Sequence, residues 1–455
     1  MPNFSGKFQY LNTDGSALQS GPCRVSFEKE TFTLLPQGGT PMAFDLGDVD
    51  GFVPGDYELT LTLYTGKKIV LNQFGKTFQN LSHDLLEAYR ARLIQCLLLE
   101  DLEEVARFEG FARLESPTRA FSSPAEFRLY QSTLAVLPTA ATGLQWRLAD
   151  IDAVQFDEAN YAVTLESAGE RMEVTKLAKR TGEFHQRLQD AISELTRKGA
   201  EIVREMFPFL NPDQFQQVVQ LMKEGRAAPL AKLKAIHSQT EAALGANVVD
   251  AQLKPYFEAL MKQTPEGWLY AGFKLLRKEK TEEEAAAVAA AAAQATEEAA
   301  PPQPAADAPA PEEPGEEEEP ILHWFFFPLA AKPGSKLPSN LVAWEATSKS
   351  GRATYFFRLL PPEQAAALQD AAKAPALVDG AIRQLNRAIV LLNFRREPIY
   401  LPDNSLELQP RYHRYAIACR RIPELRRLRA SFLGRAIHTS PQAWQKQFEG
   451  FLAKA

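Results

Sequence analysis

The chain has 455 residues, of which 45% are hydrophobic and 24% are charged. This composition is that of an ordinary globular protein, and the length exceeds one compact core, so we expect two to four domains. The formal net charge of −6 argues against a nucleic-acid binder whose whole surface is basic, although a local basic face is compatible with it.

The N-terminal residues and the spacing of the cysteines favour a protein of a reducing compartment. The first residues lack a basic start followed by an apolar run, so we expect no secretory signal. No apolar stretch approaches the roughly 20 residues that a membrane span requires. The cysteines Cys23, Cys96 and Cys419 are far apart and predict neither a disulfide framework nor a metal knuckle. We therefore expect a cytoplasmic protein with no transmembrane segment and no cofactor.

The clearest organising feature is an internal repeat of the stretch 34–61. Three short segments, Leu35-Pro36, Leu46-Gly47-Asp48-Val49-Asp50 and Tyr57-Glu58-Leu59-Thr60-Leu61, return as Leu137-Pro138, Leu148-Ala149-Asp150-Ile151-Asp152 and Tyr161-Ala162-Val163-Thr164-Leu165. From Leu35 to Asp50 the register holds without a gap. A repeat of this kind predicts two copies of one structural module.

The first module, residues 1–110, is predicted to be a run of short strands closed by one helix. Segments of β-forming residues alternate with turn residues, and Leu59, Leu61 and Leu63 alternate with polar residues as in a half-buried strand. The apolar period then lengthens to three and four residues, which is typical of an amphipathic helix, at Phe78, Leu81, Leu85, Tyr89, Leu93 and Leu97.

The second module, residues 120–210, repeats this plan. Strands are predicted at 128–130 and 134–137, and a later hairpin turns at Ala168-Gly169. The closing helix carries the apolar residues Phe184, Leu188, Ile192 and Leu195. The predicted fold class is α+β, with two repeated antiparallel β-roll or barrel modules, each closed by a C-terminal helix.

Antiparallel strands followed by one final helix resemble the pleckstrin-homology-like superfold, here over residues 4–210 in two copies. Another small β-roll with a terminal helix would give the same pattern. The resemblance implies a binding module or scaffold, because such modules seldom carry catalysis. Members that bind phosphoinositides carry lysines and arginines on an early loop. The early loops Asn12-Thr13-Asp14-Gly15 and Glu28-Lys29-Glu30 are neutral to acidic, which counts against lipid binding by the first copy.

A helical spacer, residues 211–264, and a third α+β domain, residues 265–455, are predicted after the modules. The spacer begins with Asn211-Pro212, a helix N-cap followed by proline at the first helical position. The third domain combines a small antiparallel sheet with helices. An Ala/Glu/Pro-rich tract, 281–320, interrupts it and is predicted to be disordered. The apolar segment 268–276 either pairs with strands beyond the tract, or the tract is a true linker.

Motifs for catalysis or metal binding are weak. Gly75-Lys76-Thr77 looks like the end of a phosphate loop, but Val70 stands where the companion glycine belongs, so a turn is the simpler interpretation. The six histidines show no metal spacing. Paired carboxylates can do acid–base work or bind a cation, yet their alternation with apolar residues favours strand ends for Asp48, Asp50, Asp150 and Asp152.

Arginines are concentrated near the C-terminal end of the chain, which makes the charge most uneven there. Arginine forks suit phosphate and carboxylate groups, so the candidate anion-binding residues are Arg411, Arg414, Arg420, Arg421, Arg426 and Arg427. Three interpretations stay open. The arginines form a solvated face and pair with nearby acids, they contact nucleic acid or an anionic lipid surface, or the glutamate run 316–319 screens them.

Three functional hypotheses follow. The first is a non-enzymatic cytoplasmic scaffold or adaptor that binds an unidentified protein or peptide partner through strand edges or grooves. The second is binding of nucleic acid or anionic lipid through the C-terminal arginines, screened by the acidic tract. The third is an enzyme whose site a single sequence does not reveal. A duplicated fold without catalytic motifs favours the first.

Overall fold

The computed structural model describes residues 3–28, 30–116, 119–167, 169–275, 321–332, 334–347 and 352–453. The acidic tract 281–320 and the turn predicted at 348–351 lie outside the described residues. Within the described ranges, no helix has both the length and the apolar character needed to cross a membrane.

The first module forms a seven-stranded antiparallel sheet with the order β4-β3-β2-β1-β7-β6-β5. Its strands are β1 (Asn3–Leu11), β2 (Ala17–Glu28), β3 (Thr31–Pro36), β4 (Met42–Asp45), β5 (Val49–Pro54), β6 (Glu58–Leu63) and β7 (Lys68–Asn72). Helix α1 (Phe78–Cys96) closes the module. Its apolar stripe is buried as the sequence predicts, because Leu81, Leu85 and Leu93 are fully buried against the sheet.

The second module repeats this order as β11-β10-β9-β8-β14-β13-β12. Its elements are β8 (Glu104–Glu115), β9 (Ala120–Tyr130), β10 (Thr133–Pro138), β11 (Leu144–Arg147), β12 (Ala153–Asp157), β13 (Ala162–Ser167), β14 (Glu170–Thr175) and α2 (Thr181–Met206). A single 3-10 turn joins the two end strands of each sheet, Leu46–Asp48 in the first module and Leu148–Asp150 in the second. The repeat in the sequence is therefore a repeat in structure.

Two details differ from the sequence prediction. Strand β8 pairs with β9 and β14, so the second sheet begins at Glu104 and not near residue 120. The sequence signal is weak there because most β8 side chains are exposed or half-buried. The sheets are also open and not closed barrels. In the part of the chain that the structure describes, each end strand has one neighbour, and a 3-10 turn joins the ends instead of a ladder.

The third sheet has six strands in chain order: β15 (Ala228–Pro229), β16 (Tyr270–Leu275), β17 (Ile321–Leu329), β18 (Leu341–Ala346), β19 (Ala353–Arg358) and β20 (Phe432–Ile437). Strand β16 pairs antiparallel with β17, and Tyr270 lies opposite Phe326. This confirms that the apolar segment pairs across the tract. The sequence pattern from Pro423 to His438 predicts a single helix there. This prediction is wrong in its second half, because the helix ends at Ser431 and pairing with β19 makes Phe432–Ile437 a strand.

Helices cover both faces of the third sheet. One face packs against α3 (Pro212–Leu221), α4 (Leu230–Ile236), α5 (Thr240–Asn247), α6 (Lys254–Gln263) and α12 (Pro441–Leu452). The other packs against α7 (Ala374–Leu391), α8 (Glu397–Tyr400), α9 (Asp403–Leu408), α10 (Pro410–Arg421) and α11 (Pro423–Ser431). Asn211 caps α3 through the amide of Gln214, as the sequence predicts.

The first module and the third domain share one hydrophobic core. Trp324 and Phe326 of β17 belong to the same buried cluster as the first sheet and α1, whereas Phe325 and Phe327 belong to the cluster on the opposite face. A strand buried on both faces reads as a nearly continuous apolar run, which is how β17 appears in the sequence apart from His323.

Candidate anion-binding site at the junction of the modules

The two repeated turns each hold an arginine of the third domain. Asp48 closes the first turn and accepts a hydrogen bond from Arg420 Nη2 at 3.1 Å. Asp150 closes the second turn and accepts one from Arg387 Nε at 3.1 Å. Arg420 lies on α10 and Arg387 on α7. The aspartate at the matching repeat position therefore contacts α10 in the first copy and α7 in the second, and both helices belong to the third domain.

A second arginine of α10, Arg421, is buried against the first turn. The side chain retains only 3% of its exposure. Its Nη1 donates to the carbonyl oxygen of Gly47 and, at 2.9 Å, to that of Val49. Asp50 Oδ1 lies 3.6 Å from Nη2. Because a guanidinium stays charged when buried, these acceptors compensate for the water it loses.

The second turn has its own buried arginine, Arg147. Nη2 of Arg147 donates to the carbonyl oxygen of Gly225 at 2.8 Å, and Nη1 lies 3.9 Å from Asp150 Oδ2. Burial lowers the pKa of Arg147. The repeat register places Asp45 at the matching position of the first copy. The two copies thus carry opposite charges just before an otherwise matched turn.

Asp45 instead stabilises the first turn. Its Oδ1 accepts from the amide of Gly47 at 2.6 Å, and its Oδ2 lies 2.7 Å from Arg92 Nη2. Burial acts to raise the pKa of Asp45, but the hydrogen bond and the charge of Arg92 outweigh it and hold the pKa below its usual range. Asp45 therefore remains a carboxylate at neutral pH and stabilises the first turn by accepting the Gly47 amide hydrogen bond.

A cavity of about 400 Å³, here called the junction cavity, lies where the two modules meet the third domain. Within the described ranges, six arginines line it: Arg119, Arg147, Arg387, Arg420, Arg421 and Arg426. Five carboxylates from the same ranges line it: Asp48, Asp50, Asp150, Glu170 and Glu424. Apolar side chains complete the wall, among them Leu97, Trp146, Leu391 and Ile422.

Positive charge and hydrogen-bond donors are in excess on this wall. Among the described residues of the wall, six arginines face five carboxylates, which leaves one positive charge over. Some buried polar side-chain atoms of the wall have no hydrogen-bond partner within the described ranges, and all of these are N–H donors, on Trp146, Arg147, Arg420 and Arg421. Burial raises the pKa of Asp48, and the charge of Arg420 offsets this only in part. Such a wall favours a ligand that carries negative charge and accepts hydrogen bonds.

The structure separates the six arginines that the sequence singled out. Arg420, Arg421 and Arg426 line the junction cavity. Arg414 pairs with Glu100 and lines a neighbouring cavity of about 110 Å³. Arg411 and Arg427 are exposed. These residues therefore do not share one continuous exposed face.

Three arginines of the wall were missed by sequence reasoning: Arg119, Arg147 and Arg387. The repeat in the sequence could have identified Arg147, since an arginine stands there where the first copy has Asp45. Arg119 and Arg387 had no such signal, because each reaches the cavity from a distant part of the chain. Arg119 is held there by a two-pronged contact with Glu170, at 3.2 and 3.1 Å.

Other sequence features have structural roles. Gly75–Thr77 forms a 3-10 turn directly before α1, as the simpler interpretation predicts. His185 stacks on Phe156 with 5.0 Å between ring centres. Among the described residues, no group of three or more His, Cys, Asp or Glu side chains is placed to hold a metal ion.

Comparisons with known proteins add little to this description. No protein-family model matches the chain, and no curated protein matches it. Among solved structures, the Spt16D–Pob3N heterodimer matches with 16% sequence identity and a TM-score of 0.16, covering 37% of this chain and 84% of that chain. A likeness at this level carries no argument about function. The repeated strand order itself is consistent with tandem modules.

Proposed function

We propose that the chain is a non-enzymatic binding protein that holds an anionic ligand in the junction cavity. We also propose that the two sheet modules are divergent copies of the pleckstrin-homology-like module. The observation that carries the ligand proposal is the arginine-rich wall, with its excess positive charge and its unpaired N–H donors. Guanidinium groups recognise carboxylate and phosphate with paired hydrogen bonds.

A small ligand fits this site better than a nucleic acid or a membrane surface. A polymer needs a row of exposed cations, but Arg420 and Arg421 turn inward onto the first module. A cavity of about 400 Å³ has the size of a small-molecule pocket. The ligand class is therefore a small organic or inorganic anion.

The test is calorimetric titration of the full chain with pyrophosphate and citrate. Arg426 lines the cavity, is exposed, and makes its hydrogen bond to the carbonyl oxygen of Arg420, so Arg426→Gln should fold normally. We expect this variant to bind about tenfold more weakly. The matched control is Arg427→Gln, whose side chain is exposed on the same helix. Absence of binding by every anion, or equal losses in both variants, would overturn the proposal.

A mobility shift with duplex DNA tests the polymer alternative on the same variants. The proposal predicts no shift at moderate salt. A shift that weakens steeply with salt and disappears in the double variant Arg426→Gln/Arg427→Gln would favour nucleic acid instead.

A second candidate function is a scaffold that binds an extended peptide along β12. This strand ends the second sheet, has β13 as its neighbour, and is exposed at Gln155, Phe156 and Asp157. An exposed edge strand offers unpaired backbone groups to an incoming strand, which is a common mode of peptide recognition. A protein partner is the expectation of this hypothesis.

Lysine on the edge strand tests the scaffold hypothesis. Lysine at an edge discourages strand addition, so Gln155→Lys should lose a partner that cross-links to the wild-type chain. Ala159→Lys adds the same charge in the exposed turn after β12 and should keep the partner. If both variants retain every cross-linked protein, peptide binding at β12 is ruled out.

A further inference from the structure

We infer that the ligand of the junction cavity is a two-headed anion, with one anionic group for each repeat. This inference rests on the proposed function. The repeat supports two anionic groups, since Asp48 and Asp150 occupy the same position in the two copies. Each holds a different arginine, and both the Asp48–Arg420 and Asp150–Arg387 pairs line one cavity. A cavity with duplicated recognition groups is matched by a ligand with duplicated charges.

Each repeated turn is contacted by one accessible and one buried arginine of the wall. The side chains of Arg420 and Arg387 are 32% and 18% exposed. Those of Arg421 and Arg147 are 3% and 10% exposed and are fixed by backbone carbonyls. The accessible arginine can turn from its aspartate to a ligand group. The buried arginine keeps a fixed positive charge beside it.

The rest of the wall indicates the chemistry between the two heads. Trp146, Leu391 and Ile422 line the same cavity and present apolar surface. A hydrocarbon or ring linker suits these side chains better than a second polar chain does. The ligand class is therefore a bisphosphate or a dicarboxylate with a short linker of low polarity.

The experiment compares one-headed and two-headed probes on the full chain. Alkane bisphosphonates of increasing methylene number and the matching monophosphonates are titrated by calorimetry. We expect one bisphosphonate length to bind at least about tenfold more tightly than its monophosphonate, because the second head binds intramolecularly. We further expect Arg420→Lys and Arg387→Lys each to reduce this bisphosphonate to about the monophosphonate affinity.

Lysine is chosen because it keeps the charge that pairs with each aspartate while removing the fork that grips an anion. Circular dichroism and thermal unfolding confirm that both variants fold. If monophosphonates bind as tightly as every bisphosphonate, or if only one lysine variant matters, the two-headed inference falls and anion binding stands. If neither probe class binds, the proposed function itself fails.

Discussion

Arg420 and Asp48 are 372 positions apart in the chain, and the Arg420 guanidinium donates a hydrogen bond to the Asp48 carboxylate at 3.1 Å. The two side chains are 32% and 28% exposed, so the pair contributes little to stability by itself. Its importance is positional. With the Asp150–Arg387 pair, it fixes two arginines of the third domain against the matching turns of two modules and so builds the junction cavity.

Binding of sulfate, whose own charge does not change in this range, should strengthen as the pH falls from 7 towards about 5. The pKa of Asp48 is already raised by burial, and Arg420 offsets this only in part. An anion nearby opposes the charged carboxylate and draws Arg420 away, so both effects raise the pKa further. Binding therefore favours protonated Asp48 and takes up a proton. Calorimetry in buffers of different ionisation enthalpy measures this uptake, and Asp48→Asn should abolish it.

Arg421→Ala should lower the free energy of unfolding by about 2–4 kcal/mol. The substitution leaves the carbonyl oxygens of Gly47 and Val49 without a buried donor and Asp50 without its nearest cation. Urea unfolding followed by circular dichroism gives the change. Arg427→Ala is the control and should change stability by less than about 0.5 kcal/mol, because that side chain is exposed. Equal effects in the two variants would contradict the burial of Arg421.

Gly225→Ala should cost more stability than Gly169→Ala. Both glycines have left-handed φ angles, of +77° and +83°, so both substitutions strain the backbone by about 1–2 kcal/mol. Of the two positions, only Gly225 would bring the new Cβ against a neighbour, Nη2 of Arg147, whereas nothing lies within 4 Å at Gly169. The Gly225 variant should also weaken anion binding, since Arg147 must leave its place. Thermal unfolding and calorimetry measure the two effects.

Tyr161→Gly should stabilise the protein by about 0.5–1 kcal/mol. Tyr161 is 62% exposed and its φ of 50° is unfavourable for any residue with a Cβ. The matching Tyr57 has φ 54°, but its ring lies 5.9 Å from that of Phe78. Tyr57→Gly therefore loses packing and should gain less. Urea midpoints of the two variants decide the order, and a larger gain at Tyr57 would be inconsistent with this account.

Much of the local architecture could be predicted because local patterns encode it. The period-two alternation at Leu59, Leu61 and Leu63 marks β6, and the three- and four-residue spacing of Leu81 and Leu85 marks α1. Strand β8 and strand β20 were not predicted. Their side chains lack a clear alternation, and pairing with neighbouring strands makes them strands.

The sequence by itself determined the duplicated modules, their strand-then-helix order and the concentration of arginines near the C-terminal end, since each is a property of neighbouring residues. Only the tertiary structure decided which arginines act together. It brings Arg147 from the second module, Arg387 from α7 and Arg421 from α10 to one cavity, and turns Arg414 away from it. The physical reason is that a buried guanidinium must find carbonyl or carboxylate acceptors wherever the packed core places them, and sequence spacing carries no record of that placement.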